Sequence, residues 1–254
     1  MLVRRLILLL CLGISALASA YTRANKVKEL VLNNPTAAHF TTRDHKGLLD
    51  IVAGEAFRRA GLRLKLVKLP AERALINAND GTDDGDLSRI AGIEKVYPNL
   101  IRVPEMIFKM DFVAFTQHKL VKHASWRSLR PFSVGYITGW KIFDQNLLPG
   151  TEITTAEAPQ QLMTMLKLGR IQFALYSRWM GLAILKHMHY KDIQVIEPPL
   201  AQRAMYIYLN KRYRHYIPAL SKALKAIKRE GIYSRVCKER FAAIATPTAQ
   251  CDVH

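Results

Sequence analysis

Hydrophobic and polar residues alternate along the first third of the chain in a way that predicts strands and helices in turn. Residues 28–34 (KELVLNN) and 62–70 (LRLKLVKLP) place leucine at every second position, which is typical of β-strands. Residues 47–62 repeat apolar side chains with a period near 3.6 and predict an amphipathic helix. A short helix over residues 71–80 and a short strand over residues 86–90 follow. This order predicts a parallel α/β sheet.

The middle of the chain predicts a second α/β unit. Residues 99–117 are rich in strand-forming side chains. Residues 130–147 (RPFSVGYITGWKIFDQNL) predict a strand, a turn at Thr138 and Gly139, and a helix from about Trp140.

The last third of the chain continues the alternation. A helix up to Leu168 is followed by a strand over residues 171–175 and a further helix. Residues 192–200 (DIQVIEPPL) predict a short strand that ends at a Pro-Pro connection. An alternating strand (AMYIYLN) and then helices complete the predicted order.

The N-terminus has the pattern of an export signal. Arg4 and Arg5 precede an apolar run over residues 6–12, and residues 18–20 have the A-x-A sequence of a cleavage site before Tyr21. The run is too short for a membrane span, and no later segment is long and apolar enough. We expect a signal peptide over residues 1–20 and a periplasmic mature protein without a membrane span.

The cysteines and the export signal together predict a disulfide. Cys11 lies inside the apolar run and leaves with the signal, so Cys237 and Cys251 remain. An even number of cysteines in an oxidising compartment predicts one disulfide near the C-terminus. The alternative is two unpaired cysteines, one of them buried.

The charge of the chain favours anionic partners. The formal net charge of +18 falls to +16 when Arg4 and Arg5 are removed with the signal. Nucleic acid, phospholipid headgroups, envelope polymers and acidic small molecules all fit such an excess. Export and the lack of a nucleic-acid motif argue against nucleic acid, and the Lys and Arg of residues 211–240 fall at helix-like intervals, typical of a solvated face.

The acidic stretch at residues 77–90 (NANDGTDDGDLSRI) raises the question of a calcium loop. An EF-hand loop counted from Asp80 would place Ala91 at its twelfth position, where calcium needs a bidentate carboxylate. We therefore interpret the stretch as a turn. His187 and His189 do not share a helix face, so we expect no metal and no cofactor.

Three stretches carry a resemblance to a known family: ERALINANDGTDDGDLSRIAGIEKVYPNLIRVPE, VGYITGWK and YIYLNKRYRHYIPALSKALKAIKREGIYSRV. In this order they resemble the type-2 periplasmic solute-binding proteins, in particular the extracellular solute-binding family of polar amino acid ABC importers. The resemblance implies an α/β fold with two lobes, each a parallel or mixed sheet flanked by helices, joined by two hinge strands and closing on a ligand. Lobe one would comprise residues 21–115 and 205–254, and lobe two residues 116–204.

The sequence departs from this family at two positions that bind ligand. In the family's amino-acid binders, a Ser/Thr-rich segment with a following Arg clamps the ligand carboxylate, and an Asp takes the ammonium. Here the segment is SRIAGIEK, with Arg89 placed early, and Ser177 stands at the Asp position. Either the ligand lacks an ammonium group or another group holds it.

Two pairs of residues are the first candidates for ligand binding. Arg89, next to Ser88 at a strand end, could bind a carboxylate through two hydrogen bonds, and the alternative is a surface ion pair with a neighbouring aspartate. Thr138 and Gly139 precede a helix, where free backbone N–H groups attract an anion, and the alternative is an ordinary N-cap turn.

Five further candidates follow from position. Tyr136 and Trp140 could sandwich a planar part of a ligand or belong to the core. Arg73 could project into the cleft or be solvated at a helix start. Ser177 and Arg178 follow a strand of the second unit.

We expect an exported, monomeric solute-binding protein that captures a small polar or anionic metabolite, amino-acid-like or an organic acid, for an ABC permease. Two alternatives remain open. One is a periplasmic enzyme on the same scaffold, dehydratase-like, with Glu72 or Glu105 as a general acid. The other is a ligand-sensing or envelope-associated module.

Overall fold

The computed structural model describes residues 27–34, 40–42, 44–118, 123–242 and 251. The predicted signal peptide, residues 1–20, lies outside this part. Across the described ranges, no helix combines the length and the apolar character needed to cross a bilayer.

Nine strands in the described ranges form one sheet. They are β1 (Lys28–Asn33), β2 (Leu62–Val67), β3 (Gly85–Ile90), β4 (Leu100–Arg102), β5 (Phe108–Thr116), β6 (Ser133–Ile137), β7 (Glu152–Ala156), β8 (Phe173–Ser177) and β9 (Gln194–Asn210).

Helices cover the sheet. The α-helices are α1 (Leu48–Arg59), α2 (Ala71–Asp80), α3 (Lys141–Asn146), α4 (Pro159–Lys167), α5 (Arg178–His187), α6 (Ile217–Arg229) and α7 (Ile232–Phe241), and the 3-10 helices are Ile93–Lys95 and Lys211–Tyr216.

The sheet consists of two parallel halves joined by a central antiparallel pair. The strand order is β2-β1-β3-β9-β5-β8-β6-β7, with β4 added to β9. In the first half, β1 is parallel to β2 and β3, and in the second half, β6 is parallel to β7 and β8. Both β5 and β9 run from one half into the other, pairing with each other antiparallel. The predicted α/β architecture with two linking strands is therefore confirmed, and these strands join both halves into one continuous sheet.

The buried face of α1 is the apolar face that the sequence predicts. Its buried side chains are Leu48, Leu49, Val52, Ala53, Ala56 and Phe57. Burying each large side chain of this kind contributes about 1.5–3 kcal/mol. The helix therefore covers the sheet next to β2 and packs against α6 and α7.

The β9 strand corrects the prediction of a short strand ended by prolines. It continues through Pro198 and Pro199 as one strand. Ile196 and Ala201 pair with β5, but the register shifts between them and residues 197–200 have no partner in that ladder. Proline lacks a backbone N–H, so a bulge is where a strand tolerates it.

The β7 strand is a second difference, because the sequence pattern did not indicate it. It is the edge strand beside β6, and of its five residues only Ala156 is buried. A strand exposed on both faces has no alternation of apolar and polar residues for the sequence to show.

The predicted disulfide is present. Cys237 in α7 is bonded to Cys251, with a Cα–Cα distance of 5.5 Å. Both side chains are buried, at 3% and 0% exposure. The C-terminal end of the described chain is thereby fixed to the first half.

Candidate functional site

A cavity of ≈ 40 Å³ lies between the two halves of the sheet. We call it the central cavity; its lining residues are Ser88, Arg89, Ile90, Ile93, Met110, Phe112, Gly139, Trp140, Lys141, Ile142 and Met205. The first half contributes the end of β3, the second contributes the turn before α3, and β5 and β9 form the remaining wall. Four residues predicted from sequence, Ser88, Arg89, Gly139 and Trp140, thus meet at one cavity.

Arg89 is held by a buried ion pair. One of its terminal nitrogens, Nη2, donates to Asp86 Oδ2 at 2.7 Å and to the backbone oxygen of Ala71 at 2.8 Å. Arg89 does pair with a neighbouring aspartate, as in the alternative interpretation, but the pair is buried and not on the surface, since Arg89 is only 6% exposed.

Asp86 shares this interior position. Burial raises the pKa of its carboxyl above the ordinary value, against the opposing effects of the Arg89 guanidinium and of the Ser88 N–H. The acidic stretch is therefore more than a turn at this residue, while Asp83 and Asp84 do hold the turn by accepting hydrogen bonds.

Two polar atoms at this cavity are buried and unsatisfied. Within the described ranges, Ser88 Oγ and Arg89 Nε have no hydrogen-bond partner. Leaving such a group unpaired costs about 1–3 kcal/mol, so an unpaired donor beside a cavity indicates a place for a ligand atom. Ser177 Oγ is also buried and unpaired, but Ser177 does not line this cavity.

Trp140 also lines the cavity and is fixed by aromatic contacts. Its ring stacks on Tyr176 with the centroids 4.6 Å apart, and Phe112 meets it edge-on at 5.9 Å. The indole therefore provides a rigid apolar part of the lining.

Gly139 brings the two halves into contact. Its φ is +82°, and a Cβ on it would lie 2.5 Å from the backbone nitrogen of Glu72. Only glycine combines this backbone conformation with such an approach to the start of α2. The same helix start binds Arg89 through Ala71, so it is held from both sides.

The prediction of free backbone N–H groups before α3 is wrong at Thr138. The Thr138 N–H donates to Ala156 O at 3.1 Å, and the N–H of Trp140 donates to Ile137 O at 3.1 Å. The Thr138 hydroxyl donates to Glu157. The α3 helix also has only six residues, too few for a strong dipole. Packing, rather than an electropositive helix end, is what this turn provides.

An ion pair joins α2 and α3 next to the central cavity. Lys141 Nζ, from α3, lies 2.7 Å from Glu72 Oε2 on α2, and Tyr97 donates its hydroxyl to Glu72 Oε1 at 2.7 Å. Burial raises the pKa of Glu72, but the bonds from Lys141 and Tyr97 outweigh this and leave that pKa below its ordinary value. We call Glu72, Lys141 and Tyr97 the latch. Lys141 was missed from the sequence because no periodic pattern marks it.

Glu72 and Glu105, the two proposed general acids, both have hydrogen-bond partners. Glu72 is ionised in the latch, which is the opposite of the raised pKa that a general acid needs. Glu105 accepts a hydrogen bond from Lys228 on α6 and does not line the central cavity.

The remaining candidates lie elsewhere. Tyr136 is buried and donates to Asp144, so it belongs to the core of the second half. Arg73 is exposed on α2. Arg178 donates from Nε to Asp111 on β5 and from its terminal nitrogens to Glu197 on β9, an ion-pair cluster at the linking strands. The structure does not bring these three side chains into the lining of the central cavity.

A larger cleft of ≈ 720 Å³ also has Trp140 in its lining. Residues 68–71 of the first half and residues of β6, α4, β8 and α5 line it. His187 is at its rim, but in the described part of the chain no group of three or more His, Cys, Asp or Glu is placed to hold a metal ion.

Comparison with known proteins bears on the fold. No protein-family model matches the chain. An uncharacterized protein of Shewanella oneidensis is 27% identical over 225 residues, covering 84% of this chain and 85% of that protein.

Solved structures share the fold at low sequence identity. An amino acid ABC transporter substrate-binding protein from Streptococcus pneumoniae, bound to L-arginine, is 16% identical with a TM-score of 0.71, covering 88% of this chain and 100% of that chain. A histidine kinase sensor domain with similarity to periplasmic binding proteins is 11% identical with a TM-score of 0.73, covering 88% and 99%. The chain therefore has the α/β fold of the type-2 periplasmic binding proteins, as the sequence resemblance implies.

Proposed function

We propose that the protein is an exported solute-binding protein whose two halves close on a small polar or anionic metabolite at the central cavity. The observation that carries this proposal is the pair of buried, unpaired donors, Ser88 Oγ and Arg89 Nε, at a cavity with walls from both halves. A ligand that accepts hydrogen bonds from both would remove the cost of leaving them unpaired.

We take these two halves to be the lobes, with residues 21–115 and 205–254 as lobe one and residues 116–204 as lobe two. The linking strands β5 and β9 are the natural hinge, because the parallel strands on either side belong to different halves. Hinge rotation about two strands is a common way of closing a cleft on a ligand.

Delivery to an ABC permease from the periplasm is the role that the export signal and the transporter-associated neighbour support. Binding rather than catalysis fits the site, because Glu72 and Glu105 are each committed to a lysine. The sensor domain of the same fold favours a second candidate, ligand sensing at the same cavity.

The test is recovery of the bound molecule. In the first step, freshly purified protein is deliberately unfolded in part, and the small molecules that it releases are identified by mass spectrometry. The ligand-free protein is then refolded and titrated with these molecules. At about 100 times the Kd, a ligand of the folded state adds about 2.7 kcal/mol of stability, which raises Tm by roughly 5–10 °C. Small-angle scattering should show compaction in the same samples.

Arg73→Ala is the matched control because Arg73 is exposed on α2 and should leave both responses unchanged. A protein that releases no small molecule, and that responds to no member of an amino-acid and organic-acid panel, would contradict the proposal.

A further inference from the structure

We propose that the ligand is a small carboxylate with an apolar body and no ammonium group. The inference rests on the proposed function and names the substrate class of the same cavity. Its basis is an imbalance in the lining: among the described residues, the cavity is lined by two cations, Arg89 and Lys141, and by no acid.

The acids that contact these cations are already committed. Asp86 accepts from Arg89 and from the N–H of Ser88, and Glu72 accepts from Lys141 and Tyr97. Neither has its charge free to balance an ammonium group of a ligand.

The acids on neighbouring elements are committed as well. Asp111, between two lining residues of β5, accepts from Arg178 and Gln202. Glu94, next to Ile93, accepts from Tyr208 and from the N–H of Gly92.

Asp144, on α3, accepts from the Tyr136 hydroxyl and also lies near Lys141. Every acid described on the elements that form the cavity wall therefore has a partner. A buried ammonium group would have to break one of these pairs or remain unpaired, and either is costly.

The unpaired atoms point to an acceptor. The Arg89 Nε–H can only donate, and the Ser88 hydroxyl can donate beside it. A carboxylate presents two acceptor oxygens and gains charge-assisted hydrogen bonds from such a pair. A carboxylate therefore satisfies both atoms, adds no positive charge and gains more than a neutral oxygen acceptor would.

The rest of the wall requires an apolar body. Beyond the polar residues it consists of Ile90, Ile93, Met110, Phe112, Trp140, Ile142 and Met205. The cavity volume of ≈ 40 Å³ corresponds to about three water-sized groups at about 10–15 Å³ each. Carboxylates of about two to four carbons match this space.

The experiment compares pairs of molecules that differ only in the ammonium group. The ligand-stripped mature chain is titrated calorimetrically with propanoate against alanine and with butanoate against 2-aminobutanoate. We expect the simple acid to bind about tenfold more tightly or better in each pair, since the ammonium has no partner. Ser88→Ala should weaken binding of the acid by a similar factor. That loss would show that the acid binds at the central cavity.

Each other outcome overturns the inference in its own way. Equal or tighter binding of the amino acids would overturn the ligand class, while leaving the solute-binding function standing. Binding of neither member by a protein that does rebind its co-purified molecule would also overturn the class. Acid binding that Ser88→Ala does not weaken would overturn the assignment to this cavity.

Discussion

At Arg89 and Ser88, the residues proposed to bind the ligand, hydrogen bonding is incomplete. Asp86 and Ala71 satisfy one end of the guanidinium, and the Nε of the same side chain is buried without a partner among the described residues. Preorganised sites gain affinity when packing and neighbouring hydrogen bonds fix a donor in place while one of its N–H groups stays free for the ligand. The ion pair with Asp86 also keeps Arg89 from being an isolated buried charge when no ligand is bound.

Ser88 gives the sharpest prediction at this scale. Its hydroxyl is buried and unpaired, so Ser88→Ala should leave the ligand-free Tm unchanged or slightly higher. The variant should bind the ligand about 10- to 100-fold more weakly, because a hydrogen bond to a charged group contributes about 1.5–3 kcal/mol. Titration calorimetry and thermal unfolding measure the two effects separately.

The matched control is Ser177→Ala, which removes another buried, unpaired hydroxyl outside the central cavity lining. It should reproduce the stability effect without the loss of affinity. Equal losses in both variants would contradict the assignment of Ser88.

Asp86 sets the charge that Arg89 presents to a ligand. In Asp86→Asn the counter-charge disappears while the shape remains, so we expect a lower Tm without ligand and about tenfold tighter binding of a carboxylate. Asp83→Asn is the control. Asp83 lies three residues before Asp86 and accepts hydrogen bonds from Asn33 and Asn77. It should lower stability and leave affinity unchanged, whereas weaker carboxylate binding by Asp86→Asn would count against the charge argument.

The sequence indicated Arg89 and a neighbouring aspartate as an alternative partner, but not that the partner is Asp86 or that the pair is buried. In a regular strand, residues three apart point to opposite faces. The β3–β9 register shifts between Asp86 and Arg89, and this irregularity allows the two side chains to meet. This irregularity depends on the neighbouring strand β9, which lies more than a hundred residues later in the chain. The sequence around Arg89 therefore does not predict it.

At the scale of elements, α2 and α3 meet through the latch. Glu72 has a pKa below its ordinary value, so its pairing stabilises the closed form at pH values above the ordinary pKa. That contribution is lost as the pH falls through the lowered pKa. We expect the protein to open only in acid, below the ordinary Glu pKa of 4.5, as an increase in the radius of gyration.

Lys141→Met tests the latch at neutral pH. Because both side chains are partly exposed, at 23% and 35%, the pair contributes about 1 kcal/mol or less, and the closed population should fall by up to about fivefold. The variant should also lose the acid-induced opening. A wild-type pH profile retained in Lys141→Met would show that another group controls closure.

The turn before α3 supplies a steric test of closure. A Cβ at Gly139 would collide with the backbone of Glu72 at 2.5 Å. Gly139→Ala should therefore prevent full closure and lower ligand affinity more than about tenfold, while scattering shows a larger particle than the ligand-bound wild type.

Gly169→Ala is the matched control. Gly169 has a similar φ of +68° but open space around its Cβ position. It isolates the cost of a left-handed alanine, about 1–2 kcal/mol of stability. Normal compaction in Gly139→Ala would contradict the closed contact described here.

Most elements followed from the sequence because they bury one face. The α1 helix and strands β1 and β2 show the periods of 3.6 and 2 that a buried face imposes. The exceptions, β7 and the middle of β9, are held by neighbouring strands and not by a buried face of their own. Their formation depends on tertiary pairing, which overrides local preference.

At the scale of the whole molecule, the disulfide stabilises the fold away from the cleft. Cys237 and Cys251 are 14 residues apart, and closing a loop of about 15 residues contributes about 3 kcal/mol. The double variant Cys237→Ser, Cys251→Ser should lose about this much free energy of unfolding in denaturant titrations. Its ligand affinity should not change, and a large loss of affinity would indicate that the C-terminus takes part in closure.

The overall charge is consistent with an anionic ligand. The formal net charge of +18, or +16 without Arg4 and Arg5 of the predicted signal, creates a positive potential that speeds the encounter with a small anion. Next to the cavity, however, Asp86 and Glu72 compensate the two lining cations. Long-range attraction and local selectivity are thus set by different residues.

Native mass spectrometry of freshly purified wild-type protein and of Gly139→Ala tests the central claim most directly. If the two halves close on a small molecule at Ser88 and Arg89, wild-type protein should carry an added small-molecule mass that Gly139→Ala has lost. An identical added mass in both proteins, or none in the wild type even at saturating carboxylate, would contradict capture by closure of the central cavity.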